Sequence, residues 1–219
     1  MASHSSCSKA RTSLVVRLDG EIIIELVSGP RHCWSFRPHY HLGDEVVRIT
    51  EGRTRFHSRA GFQDLEAGET TVVPAGVVHR FQPLDREGWS FQSQYISGPG
   101  VARNEPQNPL CLRAIGELSG RSSLQTDVIG VASACAISAG HLSRLFRHEV
   151  GTSLHNFHVL LALHKAMQLL RLQQSVVAVA LDTEFFDQAH FTREFVRLTG
   201  MTPGIFRSAW APSRLTGSL

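Results

Sequence analysis

The chain of 219 residues repeats part of itself at a fixed spacing. The run LSRLFRHEVGTSLHNF, beginning at Leu142, matches FTREFVRLTGMTPGIF, beginning at Phe191, at an offset of 49 residues. Leu142 pairs with Phe191, Ser143 with Thr192, Arg144 with Arg193, Phe146 with Phe195, Gly151 with Gly200, Ser153 with Thr202 and Phe157 with Phe206. Upstream the offset is 48, pairing Ala132 with Ala180 and Ile137 with Phe185. The second copy therefore holds one extra residue in its turn. A repeat of this length is one supersecondary unit used twice.

The apolar spacing around both copies is helical. Each copy reads as helix, short turn, helix: residues 126–134 then 139–150, and residues 176–183 then 187–199. Small Ala132 or Ala180 lets the paired helices approach, and Ile137 or Phe185 plugs the turn. That is the helix-turn-helix plan, in which the second helix enters the major groove of DNA. The alternative is an α-bundle with a duplicated hairpin, which would need neither the paired Arg residues nor the matched caps. Gly151 suits a helix C′ position. Ser153 can cap the next helix, which runs to about Gln173. Thr202-Pro203 reads as a cap followed by the first helical residue. Leu110, Ile115 and Leu118 suit a first helix. The helix between the copies has about 20 residues at about 1.5 Å each, so it spans about 30 Å. Successive major grooves on one side of B-DNA lie about 34 Å apart. One chain can thus reach both.

The first half has a different period. Residues 14–18, 21–27, 45–50, 70–73 and 77–81 are short, rich in Val and Ile, and punctuated by Gly20, Gly29-Pro30, Gly52, Gly61, Gly68 and Pro74. Residues 89–95 alternate, with Trp89, Phe91 and Tyr95 on one face. This predicts a β-sandwich or barrel. Residues 98–108, with two prolines, two glycines and no apolar period, read as a linker. Charge divides the same way: residues 1–108 carry 12 basic and 12 acidic side chains, and residues 109–219 carry 10 against 7. A modestly basic helical half suits an anionic partner. The expected organisation is therefore a two-domain α+β chain: an all-β domain over 10–97, a linker over 98–108 and an all-α domain over 109–211.

The helical half resembles the DNA-binding domain of the AraC/XylS family of bacterial transcription regulators over about residues 109–210. Ala132, Ala136-Ile-Ser138, His141-Leu-Ser-Arg-Leu-Phe146, Gly151 and Ser153 carry the likeness in the first copy. Val179-Ala180, Phe185, Asp187-Gln-Ala-His-Phe191, Arg193, Phe195 and Gly200-x-Thr-Pro-x-x-Phe-Arg207 carry it in the second. The resemblance implies seven helices, two helix-turn-helix units and control of transcription, as an activator contacting RNA polymerase or as a repressor. The chain departs from the family where Gly is usual: it has Ala136 and Glu184. Those residues must either take positive φ at about 1 kcal/mol each or change the turn. Phe186 is bulky where a small polar residue is common. The exposed face at the start of each second helix carries the candidate DNA-reading groups: Ser143, Arg144 and Arg147, then Gln188, His190 and Arg193. Arg can bridge guanine and Gln can pair with adenine; clamping of phosphate or an intramolecular ion pair is the competing role for Arg144 and Arg193. Gly140 and Ala189 offer a base edge little. Phe146, Phe157, Phe195 and Phe206 sit at core spacing.

In the first half, HYHLGDE over residues 39–45 sets two imidazoles one residue apart and a carboxylate four further on. On a strand, His39 and His41 would face the same side. With Gly52, and with Gly68, Pro74, Gly76 and His79 later, the stretch resembles both motifs of the cupin superfamily, a double-sheet jelly-roll barrel. Cys33 stands where the first motif has Gly, and Pro83 where the second has Asn. The resemblance implies that His39, His41, Glu45 and His79 either hold one divalent transition metal (Zn, Ni, Fe or Mn) or line an effector pocket. Trp34, Phe36, Val47, Ile49 and Tyr95 are candidate apolar lining.

Two readings follow. The chain is a sequence-specific DNA-binding regulator, not an enzyme, whose cupin domain senses a small molecule or metal; or it is a cupin metalloenzyme of dioxygenase or isomerase type with a helical appendage. Expected partners of the regulator are double-stranded promoter DNA, an effector and RNA polymerase. The linker is too short for dimerising helices, so a homodimer would be weak or use cupin strands. No run of about 18 apolar residues exists to span a membrane. Cys7, Cys33, Cys111 and Cys135 are scattered, with no paired motif, as expected for reduced thiols in a cytoplasm. Residues 1–13 read as a disordered tail.

Overall fold

The computed structural model describes residues 10–102, 104–121 and 124–217. Its first half holds eight strands: β1 Ser13–Asp19, β2 Ile22–His32, β3 Asp44–Glu51, β4 Arg53–Ser58, β5 Gly61–Glu66, β6 Thr70–Val73, β7 His79–Pro83 and β8 Trp89–Ser97. A short β9, Thr216–Gly217, returns from the far end of the chain. One sheet has the order β6-β3-β8-β2-β1-β9 and a second has β5-β4-β7. All pairs are antiparallel except β9 on β1. Alternation drives the packing. On β3, Glu45, Val47 and Ile49 are buried while Arg48 is exposed. On β8, Trp89, Phe91 and Ser93 are buried while Gln92 and Gln94 are exposed. The sheets meet through these faces, with Phe81 5.5 Å from Trp89 and Leu65 in the same core. The result is a double sheet packed face to face. No continuous ladder closes it; an isolated bridge joins His39 to His79.

Three strand expectations need correction. β4 and β5, RTRFHS and GFQDLE, are polar sequences flanked by Gly52 and Gly61, and their apolar pattern is too thin to read as strand. They form because they pair with each other and with β7. β2 runs through Gly29-Pro30 instead of stopping there, by way of an irregular register between Gly29 and His32. Gly29 is needed: a Cβ there would lie 2.3 Å from the Phe91 ring. Val77 and Val78 precede β7 and are not part of it.

The second half holds α1 Pro109–Ser119, α2 Val128–Ala134, α3 Ala139–Val150, α4 Leu154–Arg171, α5 Val176–Asp182, α6 Gln188–Thr199 and α7 Pro203–Ala209. Every N-cap is Asn, Asp, Ser or Thr, and each side chain accepts a first-turn backbone N–H. α3 and α6 end on Gly151 and Gly200, at φ of 83° and 73°. α2 and α3 meet at 88°, the angle of a helix-turn-helix. The four phenylalanines expected in the core are buried. No single helix among the described residues is long and apolar enough to cross a membrane.

The halves share a buried seam. Thr12 donates its hydroxyl to the Thr199 carbonyl at 2.7 Å and its N–H to Gly200 O at 3.1 Å. Thr12 and Ser13 are thus ordered, contrary to the tail expectation; residues 1–9, including Cys7, lie outside the described residues. Asn156 of α4 donates to Pro38 O at 2.7 Å. Tyr40 stacks on both His164 and Phe157 of α4. Arg171 donates to both oxygens of Glu25, whose carboxylate also accepts the Trp210 indole N–H at 3.0 Å. Arg37 pairs with Glu194 of α6. Asn104 in the linker is pinned to Ala75 O.

Ala136 and Glu184 resolve the turn question: both take positive φ, at 55° and 66°. The turn is kept and the strain accepted. Ala136→Gly and Glu184→Gly should each raise unfolding free energy by roughly 0.5–1 kcal/mol, the relief of strain less the added freedom of the unfolded chain. Denaturant titration measures it.

Candidate sensor pocket and nucleic-acid interface

The bridge between His39 and His79 exchanges backbone hydrogen bonds of 2.8 and 2.9 Å, which brings their side chains together. His41 follows in a loop, not on the strand expected from sequence, yet its ring still lies 4.8 Å from that of His39. The donor atoms of His39, His41 and His79 all lie within 4.8 Å of one another. His39 Nδ1 donates to Arg37 O at 2.7 Å and His79 Nδ1 to Val77 O at 3.0 Å. Carbonyls accept only from N–H, so these bonds turn both Nε2 atoms inward, as in metal-binding imidazoles. Glu45 completes the set, its Oε2 3.0 Å from His79 Nε2 and 3.4 Å from His41 Nε2.

These close atoms are not aligned for hydrogen bonding. His41 Nε2, His79 Nε2 and Glu45 Oε2 are all buried without a hydrogen-bond partner. Converging lone pairs and a carboxylate repel unless a cation sits among them, either a proton or a metal. Three nitrogens and one oxygen suit a divalent transition metal. Burial pushes the Glu45 carboxyl up, but the neighbouring His41 and His79 imidazoles override it and hold it well below the usual range. Tyr95 donates to Glu45, and burial, then that carboxylate, hold its hydroxyl protonated far above the ordinary phenol value.

A cavity of about 110 Å³ opens beside this cluster. Phe36, Val47, Phe81, Trp89, Phe91 and Tyr95 line it from the strand half. Trp34 and Ile49, also expected there, are packed in the core instead. The other wall comes from the helical half: His164, Met167 and Arg171 of α4, Leu198 and Thr199 of α6, and Phe206 of α7. Nothing in the sequence pointed to this wall, because Met167 and Arg171 read as an ordinary helix face and its end. The pocket lies between the halves, so an occupant would touch the last turn of α6 directly.

Ser143 and Arg144 lie in the amino-terminal half of α3, and Gln188, His190 and Arg193 in that of α6, whereas Arg147 lies in the last turn of α3. Arg144, Arg147, Gln188 and Arg193 are exposed, and Ser143 and His190 are partly so. Among the described residues no carboxylate pairs with Arg144, Arg147 or Arg193. An internal ion pair is thus not their role. Gly140 lies under the Arg144 guanidinium, where a Cβ would stand 3.6 Å from Nη1. His190 is held by Asp187, which caps its N–H, and by an edge contact with Phe185.

Burial, then His79 and His41, lower the His39 pKa well below the ordinary imidazole value. The unfolded chain takes up that proton below about pH 6.5 and the folded chain does not. Stability is therefore present above that pH and lost as pH falls through it, by about 1.4 kcal/mol per unit for one proton. Chelator-treated protein should show a falling denaturation midpoint from pH 7 to 5. His39→Gln should flatten that slope.

Comparison with known proteins adds the lineage. The helix-turn-helix domain family matches residues 131–209. The uncharacterised HTH-type transcriptional regulator YfiF of Bacillus subtilis is 37% identical over 86 residues, covering 39% of this chain and 27% of that one. The HTH-type transcriptional regulator GlxA of Rhizobium meliloti is 30% identical over 111 residues, covering 50% and 34%. The matched part thus spans about a third or less of these relatives. ToxT of Vibrio cholerae superposes with a TM-score of 0.55 over 86% of this chain and 98% of that one, at 6% identity, a likeness of fold alone. The carboxy-terminal half of this chain therefore carries a helix-turn-helix domain over residues 131–209, joined to an amino-terminal double sheet.

Proposed function

We propose that this chain is a sequence-specific, double-stranded-DNA-binding regulator of transcription, with the pocket between its halves as the sensor. The observation that carries the reading is the placement of α6. Its amino-terminal half presents exposed Gln188 and Arg193 with partly exposed His190 between them, while its last turn, Leu198 and Thr199, lines the pocket. An occupant with different affinity for two arrangements of the seam would shift DNA binding by that difference. Ser143, Arg144 and Arg147 of α3 are the reading groups of the first unit. The pocket is mostly apolar with polar ends, which suits a small organic effector. If the regulator activates, RNA polymerase is a further partner, and a homodimer would use sensor strands.

A mobility-shift assay tests the reading. The full chain should select particular duplexes at physiological salt, and Arg144→Ala with Arg193→Ala should weaken binding by about tenfold or more for each base no longer bridged. Selection of no sequence above salt-labile background would remove the reading.

A second reading concerns the His39, His41, Glu45 and His79 set. The unpartnered, convergent His41 Nε2, Glu45 Oε2 and His79 Nε2 favour one bound divalent transition metal. When bound, the metal would serve as a ligand anchor in the sensor or, in the metalloenzyme alternative, as a Lewis acid. Protein dialysed against Zn or Ni should retain about one equivalent, and Glu45→Gln or His79→Ala should lose it. Retention of none by the unmodified chain would remove both the metal and the enzyme alternative.

A further inference from the structure

We propose that Phe186 is a specificity residue of the second helix-turn-helix unit, its ring set against a thymine C5-methyl in the major groove. This rests on the DNA-binding reading above and names one base-pair preference within it.

The internal repeat isolates the residue. Ser138 and Asp187 are equivalent N-caps, each accepting the third residue's N–H, from His141 and His190. Before the turn the copies run in step, with Ile137 opposite Phe185. The single extra residue of the second copy therefore falls between Phe185 and Asp187, and it is Phe186.

An apolar residue just before an N-cap usually packs on the fourth helical residue, stapling the chain to the helix. Here that contact belongs to Phe185, which is buried and 5.2 Å from Phe191. The insertion leaves Phe186 outside it. Phe186 is 91% exposed, the highest value among the large apolar side chains described. It has no ring or cation-π partner among the described residues. The fold therefore gains nothing from the ring, and a fully hydrated Phe carries apolar area that only a partner can bury.

The place of the ring says which partner. Phe186, Asp187, Gln188 and Ala189 form one exposed run at the amino end of α6, the end that enters the groove. Gln pairs bidentately with adenine, and an apolar group such as Phe or Ala reads the methyl of thymine. Gln188 with Phe186 and Ala189 thus offers a matched set for neighbouring A·T pairs. The first unit has no counterpart, because Ile137 is partly buried and directly precedes its cap.

The test removes one methyl at a time. Sites are first selected from random duplexes with the full chain; each thymine is then replaced by deoxyuridine. For the unmodified protein, one replacement in the half-site of the second unit should weaken binding about fourfold, the weight of one buried methyl group. Phe186→Ala should bind the thymine duplex more weakly by a similar factor and be indifferent to that replacement. Its thermal midpoint should be unchanged. A Phe186→Ala protein that keeps the full penalty at every thymine would overturn the assignment. So would unaltered DNA binding with reduced transcription by added polymerase, which would turn the ring toward a protein. A full chain that selects no sequence fails earlier and removes the DNA-binding reading itself.

Discussion

Glu25 is the residue on which the arrangement of the two halves turns. Its carboxylate, on β2 of the sensor sheet, takes both donor bonds of Arg171 from the end of α4 and the indole N–H of Trp210 after α7. Arg171 in turn lies over the rings of Phe206 and Trp210. A partly buried bidentate pair costs much more to break on one side than it contributes as a whole. α4 is thereby fixed to the sheet at its carboxy end, and Asn156 fixes it near the amino end. Because α4 carries one helix-turn-helix unit at each end, these bonds place both.

This explains the composition of α4. As a spacer between two DNA-reading units it would need only one apolar stripe. Instead Asn156, Phe157, His158, Val159 and Leu160 are buried in succession, because α4 is covered by the sensor on one side and by helices on others. His158, whose pKa is lowered by burial and then by His155 and Arg121, sits inside that packing.

Local chemistry was legible in the sequence, and contact between the halves was not. The repeat, the caps and the glycine C′ residues located α3, α4, α6 and α7 within a residue or two, since each signal acts within one turn of chain. Ala136 and Glu184 stood out only through the family resemblance, which left open whether they take positive φ or change the turn; both take positive φ. β4 and β5 escaped because their stability comes from pairing, and their polar residues carry no period. Glu25, Arg171, Tyr40 and Thr12 escaped because each acts across the seam. The convergence of His39, His41, Glu45 and His79 was readable only through the cupin resemblance, because His79 is far along the chain.

The two glycines that close the recognition helices have a consequence beyond capping. Gly151 abuts Val78, and Gly200 abuts Thr12 and Trp34, where an added Cβ would come within 2.6 Å of Thr12. α3 thus ends against the segment that leads into β7, and α6 against the residues that flank β1 and β2. These two contacts act as the jaws of a caliper. On the proposed DNA-binding reading, the phase between the two sets of bases that the helices meet on a duplex would be set by the span from Val78 to Trp34 as well as by the length of α4. A molecule that swells or tightens the sensor at its mouth would retune that phase without touching either reading face.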